Sequence, residues 1–293
     1  MDLSNQNIKI SIIMNCFNSD SYLGEALDSV LAQKYQNWEL IFWDNLSTDC
    51  SATILKAYQE PRFRYYLTDT HTSLGEARIR AINMASSEWI AFLDCDDVWE
   101  DTKLLSQIET LSNDPTSVSM VYTKTRYFSE EGVVTPVLGD AEYPSGEIFR
   151  DLATRNFISL SSALVRKVYY LEVGGFNPNF KQAEEYDLFL KLAKDYRVLL
   201  TDEYLVWYRL HSQNLSSAQK ELAFEESIAS LESFDPDNIT LRGLRYWSSL
   251  YMISSLKNGR NIFKAFVYFR NHGGILEIMR LLLLMIRNRA FRN

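Results

Sequence analysis

An apolar run rich in strand-forming residues, Trp89-Ile90-Ala91-Phe92-Leu93, ends in Asp94-Cys95-Asp96-Asp97, three carboxylates within four positions. Such a run, too short for a helix, reads as a buried strand. Its tip then carries more negative charge than a strand end tolerates without a cationic partner or full solvation. A solvated acidic turn is the bland solution. A divalent cation shared with a nucleotide diphosphate is the sharper one, because Mg²⁺ and Mn²⁺ take few protein oxygens and complete their shell with phosphate and water.

What precedes this strand narrows the fold. Lys9–Met14, Trp38–Trp43 and Phe63–Leu67 are further compact apolar runs, separated by helical spacing at Ser21–Gln33, around Ile54, Leu55 and Tyr58, and at Gly75–Ala85. Strands alternating with helices of this length predict an α/β fold with a mostly parallel sheet flanked by helices. Ligands of such sheets sit at the carboxyl ends of the strands. Three polar turns fall there, Asn15–Asp20, Asp44–Asp49 and Asp94–Asp97, so their convergence follows from topology. No glycine-rich phosphate loop of the GxGxxG or GxxxxGK[ST] kind is present, which removes dinucleotide-fold and P-loop enzymes. Phosphate is then left to metal and to side chains such as Arg78.

Six segments, in order, resemble family 2 glycosyltransferases. They are Ser11-Ile12-Ile13-Met14-Asn15-Cys16-Phe17-Asn18 with Tyr22–Gln33, Trp38–Asp44 with Ser47-Thr48-Asp49, Leu74-Gly75-Glu76-Ala77-Arg78, Asp94–Asp97, Gly174–Asn177 with Glu184–Leu192, and Tyr208–Ser216. The resemblance implies a GT-A fold over residues 1–216. About 1–100 would bind a nucleotide sugar, and about 101–216 the acceptor and the catalytic base. It implies transfer of a sugar with inversion, in surface-polysaccharide biosynthesis, from a UDP-sugar to a glycan or lipid-linked acceptor. By position, Asn15, Phe17, Asp44 and Asn45 would hold the nucleotide base, and Arg78 stands in the donor-side arginine motif. Asp96 and Asp97 would face the ribose and a Mn²⁺ or Mg²⁺ ion, with Asp97 the stronger candidate for direct ligand. Glu185 stands at the base position, with Asp187 as fallback, and His211 where a further contact to metal or pyrophosphate is added. Two departures are visible: Asn45 occupies a position usually acidic, and Glu185 one usually Asp.

Charge divides the chain. Its net charge is −8, but residues 238–293 carry ten basic side chains against Glu277 alone, a balance of +9, leaving −17 on the rest. Residues 217–293 therefore read as a helical, basic extension, with Leu222–Leu231 and Ile239–Leu256 helical and Ile275–Ile286 nearly continuous in apolar residues. Arginines follow at 287, 289 and 292. Twelve such residues are too few to span a bilayer. They suit a helix lying at an anionic membrane surface, packed on the acidic body, or paired in a homodimer. Three cysteines without a CxxC pair and a polar N-terminus without a signal core point to a cytoplasmic, reduced protein. Nucleic acid is excluded as a partner by the acidic body and the lack of a recognition motif. Two alternatives to the transferase stand beside it: a sugar nucleotidyltransferase, and a catalytically silent nucleotide-sugar-binding or scaffold subunit of a polysaccharide assembly complex.

Overall fold

The computed structural model describes residues 8–279 except 114–116, 130, 135–142, 213 and 215–218. The first half follows the predicted alternation: β1 (Ile10–Cys16), α1 (Asp20–Leu31), β2 (Trp38–Asp44), α2 (Ser51–Ala57), β3 (Phe63–Leu67), α3 (Leu74–Asn83) and β4 (Trp89–Phe92). Then come β5 (Val98–Trp99), α4 (Lys103–Asn113), β6 (Val118–Ser129), β7 (Gly132–Val134), α5 (Phe149–Leu152), β8 (Leu164–Arg166), α6 (Lys167–Glu172), α7 (Glu184–Asp195) and β9 (Arg197–Arg209). Three further helices follow, α8 (Lys220–Glu232), α9 (Asn238–Asn258) and α10 (Ile262–His272), and residues 275–279 are again helical.

One sheet runs in the order β3-β2-β1-β4-β8-β6-β9-β5, with β7 paired to β6. The four strands of the first half are parallel throughout. Beyond β4 the sheet is mixed. The short β8 inserts antiparallel between β4 and β6, β9 returns parallel to β6, and β5 pairs antiparallel with β9.

The period-two pattern of β1 sorts its side chains between two apolar layers. Ile10, Ile12 and Met14 pack with Leu23, Leu27 and Val30 of α1 and with Leu104 and Ile108 of α4. Ile13 enters the opposite layer with Ala81 and Ile82 of α3 and Leu188, Phe189 and Leu192 of α7. Ile228, Leu231, Leu244, Tyr251 and Ala265 belong to that same layer. The extension through α10 therefore packs on the body. Helix α9 starts at a capping box, in which Asp237 accepts from the N–H groups of Ile239 and Thr240 while the Thr240 hydroxyl accepts from Asp237 N–H. The apolar run Ile275–Ile286 and the arginines after it lie beyond the described residues from position 280 onward.

Candidate active site

The three polar turns meet at the carboxyl ends of β1, β2 and β4. Asn45 N–H donates to the Cys16 carbonyl at 2.8 Å, Thr48 N–H to Asn18 Oδ1 at 2.8 Å, and Asp20 N–H to Asp49 Oδ2 at 3.0 Å. Cys95 Sγ donates to the Asn15 carbonyl at 3.3 Å, which ties the acidic turn to the first one.

Around the β1 and β2 ends, the sequence-predicted residues divide into two kinds. Asp44 is buried. Its Oδ1 accepts from Ser47 N–H (2.7 Å) and its Oδ2 from the Tyr65 hydroxyl (2.8 Å), so its charge closes the turn from within. The Asn45 side chain accepts from both N–H and hydroxyl of Thr72 and donates to the Thr72 carbonyl at 2.9 Å. An Asn, carrying both a donor and an acceptor, can clasp another residue's peptide unit in this way where an Asp cannot. Asn15 and Phe17 are the groups left available. Asn15 Nδ2 is buried and has no hydrogen-bond partner, and a buried amide N–H without an acceptor is a costly arrangement that a ligand oxygen relieves. Phe17 is 47% exposed, with its ring 4.2 Å from that of His71. His71 was not visible as a site residue in the sequence. It reaches the site because its Nδ1 bonds the Asn45 carbonyl at 2.8 Å.

The acidic turn separates its carboxylates. Asp97, the direct-ligand candidate by sequence, is 1% exposed; its Oδ2 accepts from the Ser161 hydroxyl (2.6 Å) and its Oδ1 from Arg209 N–H (3.1 Å). Asp97 leads directly into β5, whose long-range pairing with β9 turns the side chain into the body. Burial, and after it the charges of Asp94 and Asp96, push the Asp97 carboxyl well above the ordinary carboxylate range. Asp96 instead stands part-exposed, with its Oδ2 2.9 Å from His211 Nε2. Arg209 holds this arrangement together, donating to the Asp96 carbonyl at 2.9 Å and pairing with Glu25 at 2.7 Å. Ser161 supports it from β8's side, accepting Asp94 N–H at 3.2 Å.

On the far side stands α7. Arg78, buried on α3, bridges the two sides: one Nη meets Glu184 and the other meets Asp94 Oδ1 at 3.3 Å. The expected phosphate-neutralising arginine is thus committed to two carboxylates, an arrangement that costs several kcal/mol to break from one side. Glu184 Oε2 is buried without a hydrogen-bond partner. Glu185 is half-buried, and its carboxyl is pushed up to about 8, first by burial and then by the Glu184 charge, against the opposing pull of Arg78. Asp187 lies elsewhere. Two residues after Glu185 means about 200° around the helix. Asp187 is accordingly buried against α8, accepting from Ser230 at 2.8 Å and pairing with Lys191 at 2.6 Å. That geometry takes the fallback base out of the site.

Asp96 and His211 offer one carboxylate oxygen and one imidazole nitrogen side by side, a donor set that suits Mn²⁺ better than the all-oxygen shell Mg²⁺ prefers. Among the described residues no three His, Cys, Asp or Glu side chains are grouped to hold an ion, so diphosphate oxygens and water must complete any coordination. The two residues fit a metal that arrives with its ligand.

The sequence was compared with known proteins. Residues 11–168 match the model of glycosyl transferase family 2. Over 216 residues the chain is 26% identical to the Escherichia coli UDP-Glc:alpha-D-GlcNAc-diphosphoundecaprenol beta-1,3-glucosyltransferase WfgD, covering 73% of this chain and 82% of that protein. The fold is similar to that of S. aureus TarS in complex with UDP-GlcNAc, with a TM-score of 0.70, 17% identity and coverage of 88% and 77%. It is also similar to the mannosyltransferase PcManGT of Pyrobaculum calidifontis in complex with GDP-Man and Mn²⁺, with a TM-score of 0.66, 15% identity and coverage of 98% and 81%.

Proposed function

The chain belongs to glycosyl transferase family 2, and from that premise we propose that it transfers a sugar, with inversion, from a UDP-sugar to a glycan or lipid-linked acceptor in surface-polysaccharide assembly. One observation carries the reading. Arg78 draws together two carboxylate groups from distant parts of the chain, the Asp94–Asp96 turn at the end of β4 and the Glu184–Glu185 turn at the start of α7. Inversion requires a leaving-group side and a base side facing each other across the anomeric carbon, and this bridge supplies both.

Asn15 Nδ2 donates to the nucleotide, and Phe17 with His71 forms the surface against its base. Asp44 and Asn45 act one step back, shaping that wall by holding the Ser47 and Thr72 segments. Asp94, neutralised by Arg78, faces the ribose. Asp96 and His211 would hold a divalent ion, Mn²⁺ by the donor set, which when bound would supply positive charge for the departing diphosphate. The acceptor hydroxyl attacks the anomeric carbon while the carbon–oxygen bond to the diphosphate breaks. Its proton passes to Glu185, and the bonding electron pair leaves on the diphosphate. A positioned base of this kind contributes about 10²–10⁴ in rate. With its carboxyl raised to about 8, a Glu185 base predicts activity that rises with pH toward the basic form. UDP is supported by the nucleotide sugars in the names of WfgD and of the TarS complex. The lipid-linked acceptor is supported by the diphosphoundecaprenol in the name of WfgD.

Calorimetric titration with UDP, with and without Mn²⁺, tests the donor site. Binding that needs Mn²⁺ and disappears in Asp96→Ala supports the reading. Mn²⁺-dependent binding of GDP or dTDP alone would keep the transferase and change its donor. No nucleotide binding in any condition would sink it.

The extension adds a second proposal. No helix among the described residues is long and apolar enough to cross a membrane. Yet α10 exposes Phe263 (82%) and Phe266, Ile275, Leu276 and Met279 continue the exposed apolar surface, and Lys257, Arg260 and Arg270 stand along the same stretch. This pattern suits an anionic membrane surface, the place where a lipid-linked acceptor resides. Co-sedimentation with phosphatidylglycerol vesicles that falls in Phe263→Ser/Phe266→Ser, with the melt unchanged, is the expected result; equal pelleting of both proteins would refute it.

A further inference from the structure

Helix α7 has acid in its first turn, at Glu184, Glu185 and Asp187, but no capping side chain of its own. Ala183, at its N-cap, has no side chain able to accept a hydrogen bond, and the backbone N–H groups just before Glu184 need acceptors. They find them 43 to 45 residues away. Glu226, 7% exposed on α8, accepts from Lys181 N–H with both carboxylate oxygens (2.9 and 3.1 Å), from Gln182 N–H (2.8 Å) and from Ala183 N–H (2.9 Å). One helical turn further along α8, the Ser230 hydroxyl donates to Asp187 Oδ1 at 2.8 Å. Thus α8 grips the segment carrying Glu184 and Glu185 at both ends.

Packing on this side runs through Tyr186, buried against Trp247, and leaves space beside it. There a cavity of about 170 Å³ borders the same turn, lined by Gln182, Ala183, Tyr186, Phe224, Ser227 and Trp247. On the inner side Glu184 is held by Arg78. Glu185 lies between these two anchors, and its carboxylate accepts a hydrogen bond from its own backbone N–H, so its place follows that of the turn. A carboxylate receiving backbone N–H bonds at a helix start is also favoured by the helix dipole, so the Glu226 clamp is both specific and strong.

We infer that Glu226 is the positioning residue for Glu185, so that the helical extension is part of the catalytic apparatus rather than an appendage to it. The inference rests on Glu185 being the base. A displacement of about 1 Å at a reacting group can cost on the order of 10²-fold in rate. Releasing the turn should therefore lower kcat while leaving nucleotide binding, built on the other side of Arg78, unaltered.

The test is a double-mutant cycle on the full chain, with kcat, donor Kd and melting temperature measured for each variant. Expected are a roughly 10- to 100-fold loss of kcat in Glu226→Ala with donor Kd unchanged, and partial rescue in Glu226→Gln, which keeps one acceptor oxygen. Glu185→Gln/Glu226→Ala should be no slower than Glu185→Gln alone, because Glu226 acts only through Glu185. Additive losses in the double variant, or normal kcat in folded Glu226→Ala while Glu185→Gln is slow, would overturn the inference. If Glu185→Gln is as fast as the native chain, the base assignment has failed instead. Should Glu226→Ala not fold, Ser230→Ala releases the second grip. A several-fold kcat loss at constant donor Kd then supports the inference, and an unchanged kcat overturns it.

Discussion

Glu184→Gln probes the electrostatics of Glu185, the proposed base, directly. Burial is the largest cause of the raised Glu185 carboxyl, but the next is the Glu184 charge, with Arg78 pulling the other way. Replacing Glu184 by Gln removes the repelling charge and releases more of Arg78's attraction onto Glu185. Neighbouring unit charges at an effective dielectric constant of about 20 interact by on the order of 2 kcal/mol. At 1.36 kcal/mol per pH unit this lowers the Glu185 carboxyl from about 8 by about 1.5 units, toward the ordinary carboxylate range. A base whose pKa falls is deprotonated from a lower pH upward. The rising limb of log kcat/KM should therefore move down by about 1.5 units. Its high-pH plateau should drop, because a weaker base accepts the acceptor proton less readily. The assay is nucleotide release with donor and acceptor from pH 5.5 to 9.5, with donor hydrolysis as its acceptor-free form. Gln keeps a hydrogen-bond acceptor toward Arg78, and Arg78 keeps Asp94, so the variant should fold with a lower melting temperature. A folded Glu184→Gln protein whose limb stays near pH 8 would refute the assignment of that limb to Glu185.

Three further outcomes follow from particular residues. Asp97→Ala leaves the Ser161 hydroxyl and Arg209 N–H without their buried acceptor, at about 1–3 kcal/mol each. Thermal melts should show it clearly destabilised, whereas Asp96→Ala loses Mn²⁺-dependent nucleotide binding with little change in melting temperature. Lys103 is fully buried with no hydrogen-bond partner for its ammonium, which sits over the Trp99 ring at 3.8 Å, and burial holds it well below its ordinary range. Its unfolded state binds the extra proton between the depressed folded value and about 10.4, so native stability should rise with pH across that window. Lys103→Met should flatten that rise and be about 1–3 kcal/mol more stable at neutral pH by urea titration; a less stable variant would show that the amine has a partner. Gly175 has φ +63°, and a Cβ there would lie 2.6 Å from the Tyr170 ring. Gly175→Ala should cost about 2–4 kcal/mol in denaturant titration, and a cost under 1 kcal/mol would mean the loop before α7 relaxes freely.

Much of this molecule was legible in its sequence because local rules carry far in α/β chains. The period of β1 sorts its residues to two layers whatever lies beyond, and β3 spans Phe63–Leu67 as its apolar run predicts. Strands joined by helices are driven into parallel pairing, so the three polar turns had to meet at one end of the sheet. The acidic turn, the helix bearing Glu185 and the cap at Asp237 are likewise short-range features that one stretch of chain contains whole. Which carboxylate faces outward is not such a feature. Asp96 and Asp97 are adjacent and chemically alike. Only the pairing of β5 with β9, more than a hundred residues apart, turns Asp97 inward and leaves Asp96 beside His211. Arg78 likewise sits in a motif that suggests phosphate. Its partner Glu184, 106 residues on, commits it to joining the two halves of the site. Glu226 carried no signal at all, being one acid among several on its helix, and its role exists only because α8 packs against the Lys181–Ala183 N–H groups that lead into α7. Periodicity and turn chemistry are encoded within a few residues and can be read there. The pairing of charges and donors across the fold is set by which surfaces come together when the two apolar layers close, and that is decided by the tertiary structure.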